Sequence, residues 1–464
     1  MTPAARLQAV IELLAEIEAQ PRPADAVASE FFRKRRFIGS KDRVAVAESV
    51  YGVLRHWGRL CWWLDRAKHE RDARAFAIAE LVLSDRLKEQ DVETLFSGGK
   101  YAPWPLSDTE RALVRALETH TLDHPQQPDG VRSEVPEWAE PGLRQSLGEH
   151  FTEEMRAMLA PAPVDLRVNP VKAARAQARK ALEAAGVKAE PTALSPLGLR
   201  LQGRVAVAQL QPFKDGWIEV QDEGSQLVAL IADARPGHQV VDFCAGAGGK
   251  TLAIAAGMAN KGRVVAADVL ERRLERARER FRRAGLHNIE TRALSNERDP
   301  WVKRHKGKFD RVVVDAPCSG TGTWRRNPDA RWRLLGPGIA ELLVLQRNIL
   351  DSACRLVKPG GRLVYATCSL LAEENQGQVE SFLATHPEFR LVPLAEAWPQ
   401  KLGPVPGEGA YLSLSPARNG TDGFFAAVLE RAPAAPSAAA GADAEVADAA
   451  AESGGLSAAP EGGL

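Results

Sequence analysis

Two cysteines lead the chemistry-bearing residues of this chain. Cys318 lies in VVVDAPCSG and Cys368 in VYATCS, each just behind an apolar run that reads as a buried strand. Asp315 closes the first of those runs. In an open α/β sheet the ligand crevice lies outside the carboxyl ends of the strands, so both thiols and the acid should converge there. One thiol in such a place reads as packing; two beside a carboxyl read as a site. A third cysteine, Cys244, belongs to a different motif.

That motif is VVDFCAGAGGKT, residues 240–251: a buried strand, a glycine-rich turn and the start of a helix. Cys244, Ala245, Gly246, Ala247, Gly248, Gly249 and Lys250 are therefore candidate cofactor-loop residues. The turn is neither the GxGxxG dinucleotide fingerprint nor a GxxxxGK phosphate loop. A second strand, RVVAAD, ends in Asp268, where a carboxyl can accept hydrogen bonds from ribose hydroxyls. Its bland alternative is a helix cap for the segment that begins at residue 271. Strand, glycine turn, helix, strand and acid suit an adenosine-containing cofactor without a phosphate cradle, which S-adenosylmethionine is. Two thiols and an acid beside a methyl donor fit methylation at carbon 5 of a pyrimidine, a poor nucleophile. A thiolate added to C6 makes C5 an enamine carbon that takes the methyl group; a base then removes the C5 proton and the thiol is eliminated. An acid near N3 stabilises the charge that builds on the ring.

CAGAGGKT, DAPCSGTG, the following RRNPDARW, and ATCS with EEN just after it together resemble the bacterial RNA cytosine-C5 methyltransferase family of Sun/Fmu type. The likeness extends from DLRVNP at residue 165 through QDEGSQL at 221–227 to DGFFAAVLER at 422–431. It implies Cys368 as nucleophile, Cys318 in product release and Asp315 at the target base. It also implies a cofactor site lined by 244–250, Asp268, Arg273, Asn296 and Asp315. Asn296 departs from the acid usual in the family after the third strand. The N-terminal region resembles the helical NusB-like RNA-binding domain attached to ribosomal-RNA members. The expected partner is then RNA, 16S ribosomal RNA first and tRNA as the alternative, with no DNA. A non-catalytic RNA-binding assembly factor is the rival outside catalysis.

Positioning these residues takes a doubly wound, largely parallel sheet. Strands are expected at 240–243, 263–268, 289–293, 311–315, 362–367 and 424–429, with helices between most of them. The expected organisation is an all-α NusB-like domain at 1–125, a linker at 126–142, a small α/β subdomain at 143–215 and a Rossmann-like class I methyltransferase domain at 216–431. The Ala/Gly-rich acidic tail at 432–464 is expected to be disordered. It holds five acidic residues and no Lys or Arg, so the chain's net +1 becomes about +6 before it. In TWRRNPDARWR, Arg325, Arg326 and Arg331 are candidate phosphate contacts, with Trp324 or Trp332 stacking on a base; the alternative is a solvated loop. Arg33–Arg36 divides in the same way. No apolar run reaches the length of a membrane span and no secretory signal begins the chain, which points to the cytoplasm. Five cysteines without a CxxC pair argue against a disulfide framework or a zinc site.

Overall fold

The computed structural model describes residues 1–434 apart from 204, so nearly all of the expected disordered tail lies outside the described residues. Seven helices fill the N-terminal part: Pro3–Ala19, Ala24–Lys34, Ser40–Arg55, Trp57–Arg66, Ala73–Leu83, Glu89–Leu95 and Asp108–Leu117. The apolar stripe Leu7, Val10, Ile11, Leu14 and Ile17 of the first helix is buried against Phe31, Val50, Trp63 and Phe76. Local chemistry sets the ends. Thr2 caps the first helix by accepting from the Ala5 N–H at 3.1 Å, and Ser107 with Glu110 forms a reciprocal capping box on the seventh.

A small antiparallel sheet follows, built from β1 (Asp165–Val168), β2 (Ala189–Pro191), β3 (Gly198–Leu201) and β4 (Ile218–Val220) in the order β2-β3-β1-β4. The outer strands, β2 and β4, have three residues each. Between the helices and this sheet the chain is tied down within 126–142. Glu134 is fully buried, and its carboxyl accepts from the Gly58 N–H at 2.7 Å and from Arg59 Nε at 2.8 Å.

The large sheet holds β5 (Gln239–Asp242), β6 (Arg263–Asp268), β7 (Ile289–Ala293), β8 (Phe309–Asp315), β9 (Val357–Thr367), β10 (Phe389–Val392), β11 (Leu412–Leu414) and β12 (Phe424–Arg431). Its order is β10-β12-β9-β8-β5-β6-β7, with β11 also paired to β12. β7, β6, β5, β8 and β9 run parallel; β12 returns antiparallel to β9. Helices cover both faces, so the parallel strands are apolar on both sides and their residues alternate between two cores. Val240, Val264, Ala266, Val313 and Val364 face one. Val241, Val265, Ala267, Val312, Val314 and Tyr365 face the other. The architecture is the expected α/β class I fold. Strand order reverses between β5 and β8, so a crevice opens at their carboxyl ends. Among the described residues no helix is long and apolar enough to cross a membrane.

Candidate active site

The chain leaves β5 at Asp242 and turns through residues 243–248 into the helix Gly249–Gly257. Gly248 has φ +78°, and a Cβ there would sit 2.6 Å from the Phe281 ring, so the turn needs glycine on both counts. At the end of β6 Asp268 accepts from the Gly246 N–H at 2.7 Å through one carboxyl oxygen and from the Leu270 N–H at 2.7 Å through the other. It is thus the acid beside the glycine turn, and its bond to Leu270 closes a local turn ahead of the following helix rather than capping it, since that helix has Leu270 as its N-cap and no side-chain cap. Val269 and Leu270, next in the chain, are 55% and 49% exposed, an apolar shelf beside the carboxyl. A turn closely approached by backbone, an acid within it and this shelf suit a ribose with its attached purine; S-adenosylmethionine is the cofactor these residues fit. Arg280 donates to the Ala247 carbonyl and holds the turn from the next helix; its place in that helix gave no sequence signal. Arg273 is exposed on the first turn of the helix Glu271–Ala284. Asn296 is exposed after β7, its side chain accepting from the Arg298 N–H at 2.8 Å.

Lys250 leaves the turn and reaches the strand ends. Its Nζ lies 2.7 Å from Asp315 Oδ2 and 5.3 Å from the centre of the Phe424 ring. Burial disfavours the Lys250 charge, but Asp315 outweighs it, with Cys368 and Asp242 adding, and the ammonium pKa rises. Below it, Asp242 is fully buried: Oδ2 accepts from Thr251 Oγ1 at 2.6 Å and Oδ1 has no partner. Burial pushes its carboxyl up to about 7, against the Thr251 hydrogen bond. The native state therefore keeps a proton that the unfolded chain releases above about pH 4, and this group's contribution to stability is lost as pH rises through 7. Between pH 6 and pH 8 the loss is about 1.4 kcal/mol. Urea denaturation at both values should show Asp242→Asn without that loss. An equal loss in the variant would refute the assignment.

The two thiols meet. Cys318 Sγ and Cys368 Sγ are 3.4 Å apart, and both side chains are half-buried. The hydrogen bond to Cys368, then burial, pushes the Cys318 thiol well above its ordinary range, so Cys318 keeps its proton more firmly than a free thiol. Cys244 lies in the turn, half-buried against the β8–β9 core, and burial raises its pKa too. The crevice thus brings together Cys318, Cys368, Asp315 and Lys250.

Arg325, Arg326 and Arg331 are not free for phosphate. Arg325 is 5% exposed, with Nε 2.5 Å from Asp422 Oδ1. Arg326 pairs with Asp422 and, at 2.9 Å, with Asp222. Arg331 is 1% exposed and donates to the carbonyls of Glu134 and Met158, both at 2.9 Å. Trp324 is fully buried, and Trp332 packs so near Gly58 that a Cβ there would lie 2.7 Å from its ring. The cause is long-range: carboxylates distant in sequence neutralise the first two cations, the Glu134 and Met158 carbonyls take up the third, and the N-terminal helices cover Trp332. The same segment docks on those helices, where Asp329 accepts from the Ala24 N–H at 2.8 Å and Arg333 donates to the Arg22 carbonyl at 2.8 Å.

Comparison with known proteins places these features in a family. The model described as "16S rRNA methyltransferase RsmB/F" matches residues 229–430, and a "Methyltr_RsmF/B-like, ferredoxin-like domain" matches residues 135–208. The "Probable ribosomal RNA small subunit methyltransferase B" of Synechocystis sp. is 38% identical over 305 residues, covering 65% of this chain and 68% of that protein. The "Ribosomal RNA small subunit methyltransferase B" of Vibrio cholerae is 38% identical over 303 residues, covering 65% of this chain and 67% of its own length. The crystal structure of PH0851 superposes with a TM-score of 0.74 at 27% identity over 93% of this chain and 99% of that one.

Proposed function

Since this chain belongs to the 16S rRNA methyltransferase RsmB/F family, the Sun/Fmu type its motifs resemble, we propose that it methylates carbon 5 of a cytosine in 16S ribosomal RNA through a covalent cysteine–C6 adduct. The observation that carries this reading is the pair of thiols 3.4 Å apart beside Asp315 and Lys250. Methylation at a ring nitrogen, an exocyclic amine or a ribose hydroxyl needs no thiol; C5 needs one to attack and benefits from another in release. Bound S-adenosylmethionine supplies an electrophilic methyl group. Cys368 forms the C6–S bond and pushes electrons to C5. Lys250 and Asp315 steady the charge on the ring. Once C5 is methylated, its proton passes to a base as the C6–S bond breaks and returns the thiolate, the half of the reaction that Cys318 serves. A cytosine inside a stack cannot reach a thiol between strand ends, so the target base must be unpaired or flipped.

For the RNA the reading turns to the helical region, 1–125, in place of Arg325, Arg326 and Arg331, which are engaged within the protein. Arg33, Arg36 and Arg43 line an open groove of about 620 Å³ with Ser29 and Phe32. Phe37 beside them is 78% exposed, and Arg33, Arg36 and Lys41 make no ion pair among the described residues. Free cations around an exposed ring suit a phosphate backbone with an unstacked base. A cytoplasmic site of action follows from a ribosomal substrate.

The test is trapping on a denaturing gel, with unmodified 16S rRNA and S-adenosylmethionine. Cys318→Ala should accumulate a covalent protein–RNA complex and Cys368→Ala should not. The reverse would exchange the two roles. No complex with either, and no methyl transfer by the wild type, would favour a non-catalytic assembly factor.

A further inference from the structure

We propose that the dipeptide Glu374–Asn375 registers the two thiols against each other: Glu374 holds the loop that carries Cys318, and Asn375 holds the strand end that carries Cys368. The inference rests on the covalent reading given above and adds to it two positioning residues. Neither side chain is bonded to the thiols.

Glu374 is fully buried just after β9, at the end of a single 3₁₀ turn. Its Oε1 accepts from the Ser319 N–H at 2.9 Å and from Gln346 Nε2 at 2.9 Å; its Oε2 accepts from Ser319 Oγ at 2.5 Å. The same Gln346 nitrogen donates to the Pro317 carbonyl at 3.0 Å. The residues on both sides of Cys318, Pro317 and Ser319, are thereby fixed to one carboxyl and its partner. A group that accepts with both oxygens suits these three donors, whereas a glutamine would turn an NH₂ toward one of them.

Asn375 does the equivalent for the other thiol. Its Oδ1 accepts from Thr367 Oγ1 at 2.5 Å and its Nδ2 donates to the Ser369 carbonyl at 2.9 Å, so one amide brackets Cys368. Hydroxyls join the two loops: Ser369 Oγ lies 3.2 Å from both Ser319 Oγ and Thr321 Oγ1, and Thr321 accepts from the Leu370 N–H at 2.8 Å. Two adjacent residues on one turn thus control the separation of sulfurs that are distant in sequence. Because each grips a different loop, their losses should fall on different halves of the reaction.

The experiment compares Glu374→Gln, Ser319→Ala and Asn375→Ala with wild type, Cys318→Ala and Cys368→Ala on unmodified 16S rRNA with S-adenosylmethionine. Three quantities are read: methyl transfer in the first turnover, steady-state turnover and covalent complex on a denaturing gel. Glu374→Gln should keep first-turnover transfer within about threefold, lose steady-state turnover on the order of tenfold and accumulate the complex as Cys318→Ala does. Ser319→Ala removes the Oγ bond to Glu374 together with the weaker Oγ contact to Ser369, keeps the Ser319 N–H bond to the carboxyl, and should show the same pattern more weakly, which decides the matter if Glu374→Gln does not fold. Asn375→Ala should instead lose first-turnover transfer and form less complex. The proposal is overturned if Glu374→Gln and Ser319→Ala turn over like wild type, or if all three variants lose first-turnover transfer and complex alike. A complex in Cys318→Ala beside an unaffected Glu374→Gln removes this inference alone. No complex in Cys318→Ala, while the wild type still transfers methyl groups, removes the covalent reading and this inference with it.

Discussion

Cys368→Ala should lower single-turnover methyl transfer to 16S rRNA by on the order of 10⁴ or more, the scale seen when an attacking nucleophile is removed, and leave S-adenosylmethionine binding unchanged. The loss is large because C5 of cytosine gains its nucleophilicity only from the bond at C6, so no other group in the crevice can substitute by position alone. Lys250 and Asp315, 2.7 Å apart, can stabilise charge but cannot create the enamine. Cys318, whose proton is held by its hydrogen bond to Cys368 and by burial, is a poor replacement attacker. Labelled-methyl transfer and equilibrium dialysis of the cofactor measure the two quantities. Transfer within tenfold of wild type, with dialysis unchanged, would rule out Cys368 as the nucleophile.

Arg325→Ala should lower the unfolding free energy by about 3–5 kcal/mol, the cost of breaking a buried ion pair from one side. The side chains of Asp222 and Asp422 are only 6% and 2% exposed, and both lean on Arg325 and Arg326. Desolvation and the neighbouring Asp422 already push the Asp222 carboxyl above its ordinary range, so losing one of two cations leaves two buried acids sharing the other. The salt dependence of RNA binding should not change, because a buried, paired guanidinium releases no counterions from phosphate. Denaturant titration and binding across a salt series test both halves. A stability change under about 1 kcal/mol with a salt slope shallower by about one unit would return Arg325 to the RNA surface.

These arginines mark where reading the sequence reached its limit. TWRRNPDARWR just after Cys318 has the composition of an RNA groove, but the acids that neutralise Arg325 and Arg326 come from residues 222 and 422, and the cover on Arg331 comes from Glu134 and Met158. No local pattern encodes such partners. The strand ends were legible for the opposite reason: strands covered on both faces must be apolar throughout, so VVD, RVVAAD and RVVVD announce themselves, and the acid that closes each run lies at the crevice or just below it. β10 and β11 were missed because they are short and pair only with β12 at the antiparallel edge. Within the site, Cys318, Cys368 and Asp315 were readable by type and position. Lys250 was readable only as part of the glycine turn, since its reach to Asp315 depends on how β5 and β8 lie side by side. Glu374 and Asn375 stood out as part of a motif; which loops they grip is decided by the packing after β9.

The docking of residues 324–333 on the N-terminal helices bears on how this molecule can be cut and how it can drift. A fragment starting at residue 143 would keep the sheet and both thiols, yet strip Asp329 of the Ala24 N–H, Arg331 of the Glu134 carbonyl and Trp332 of its contact surface at Gly58. The segment leading away from Cys318 would be left with Trp332 uncovered and with Arg331 keeping only the Met158 carbonyl of its two acceptors. The two halves are therefore not interchangeable modules. A substitution at Gly58 large enough to displace Trp332 reaches the active-site segment without touching a catalytic group, so helix and loop are constrained to change together.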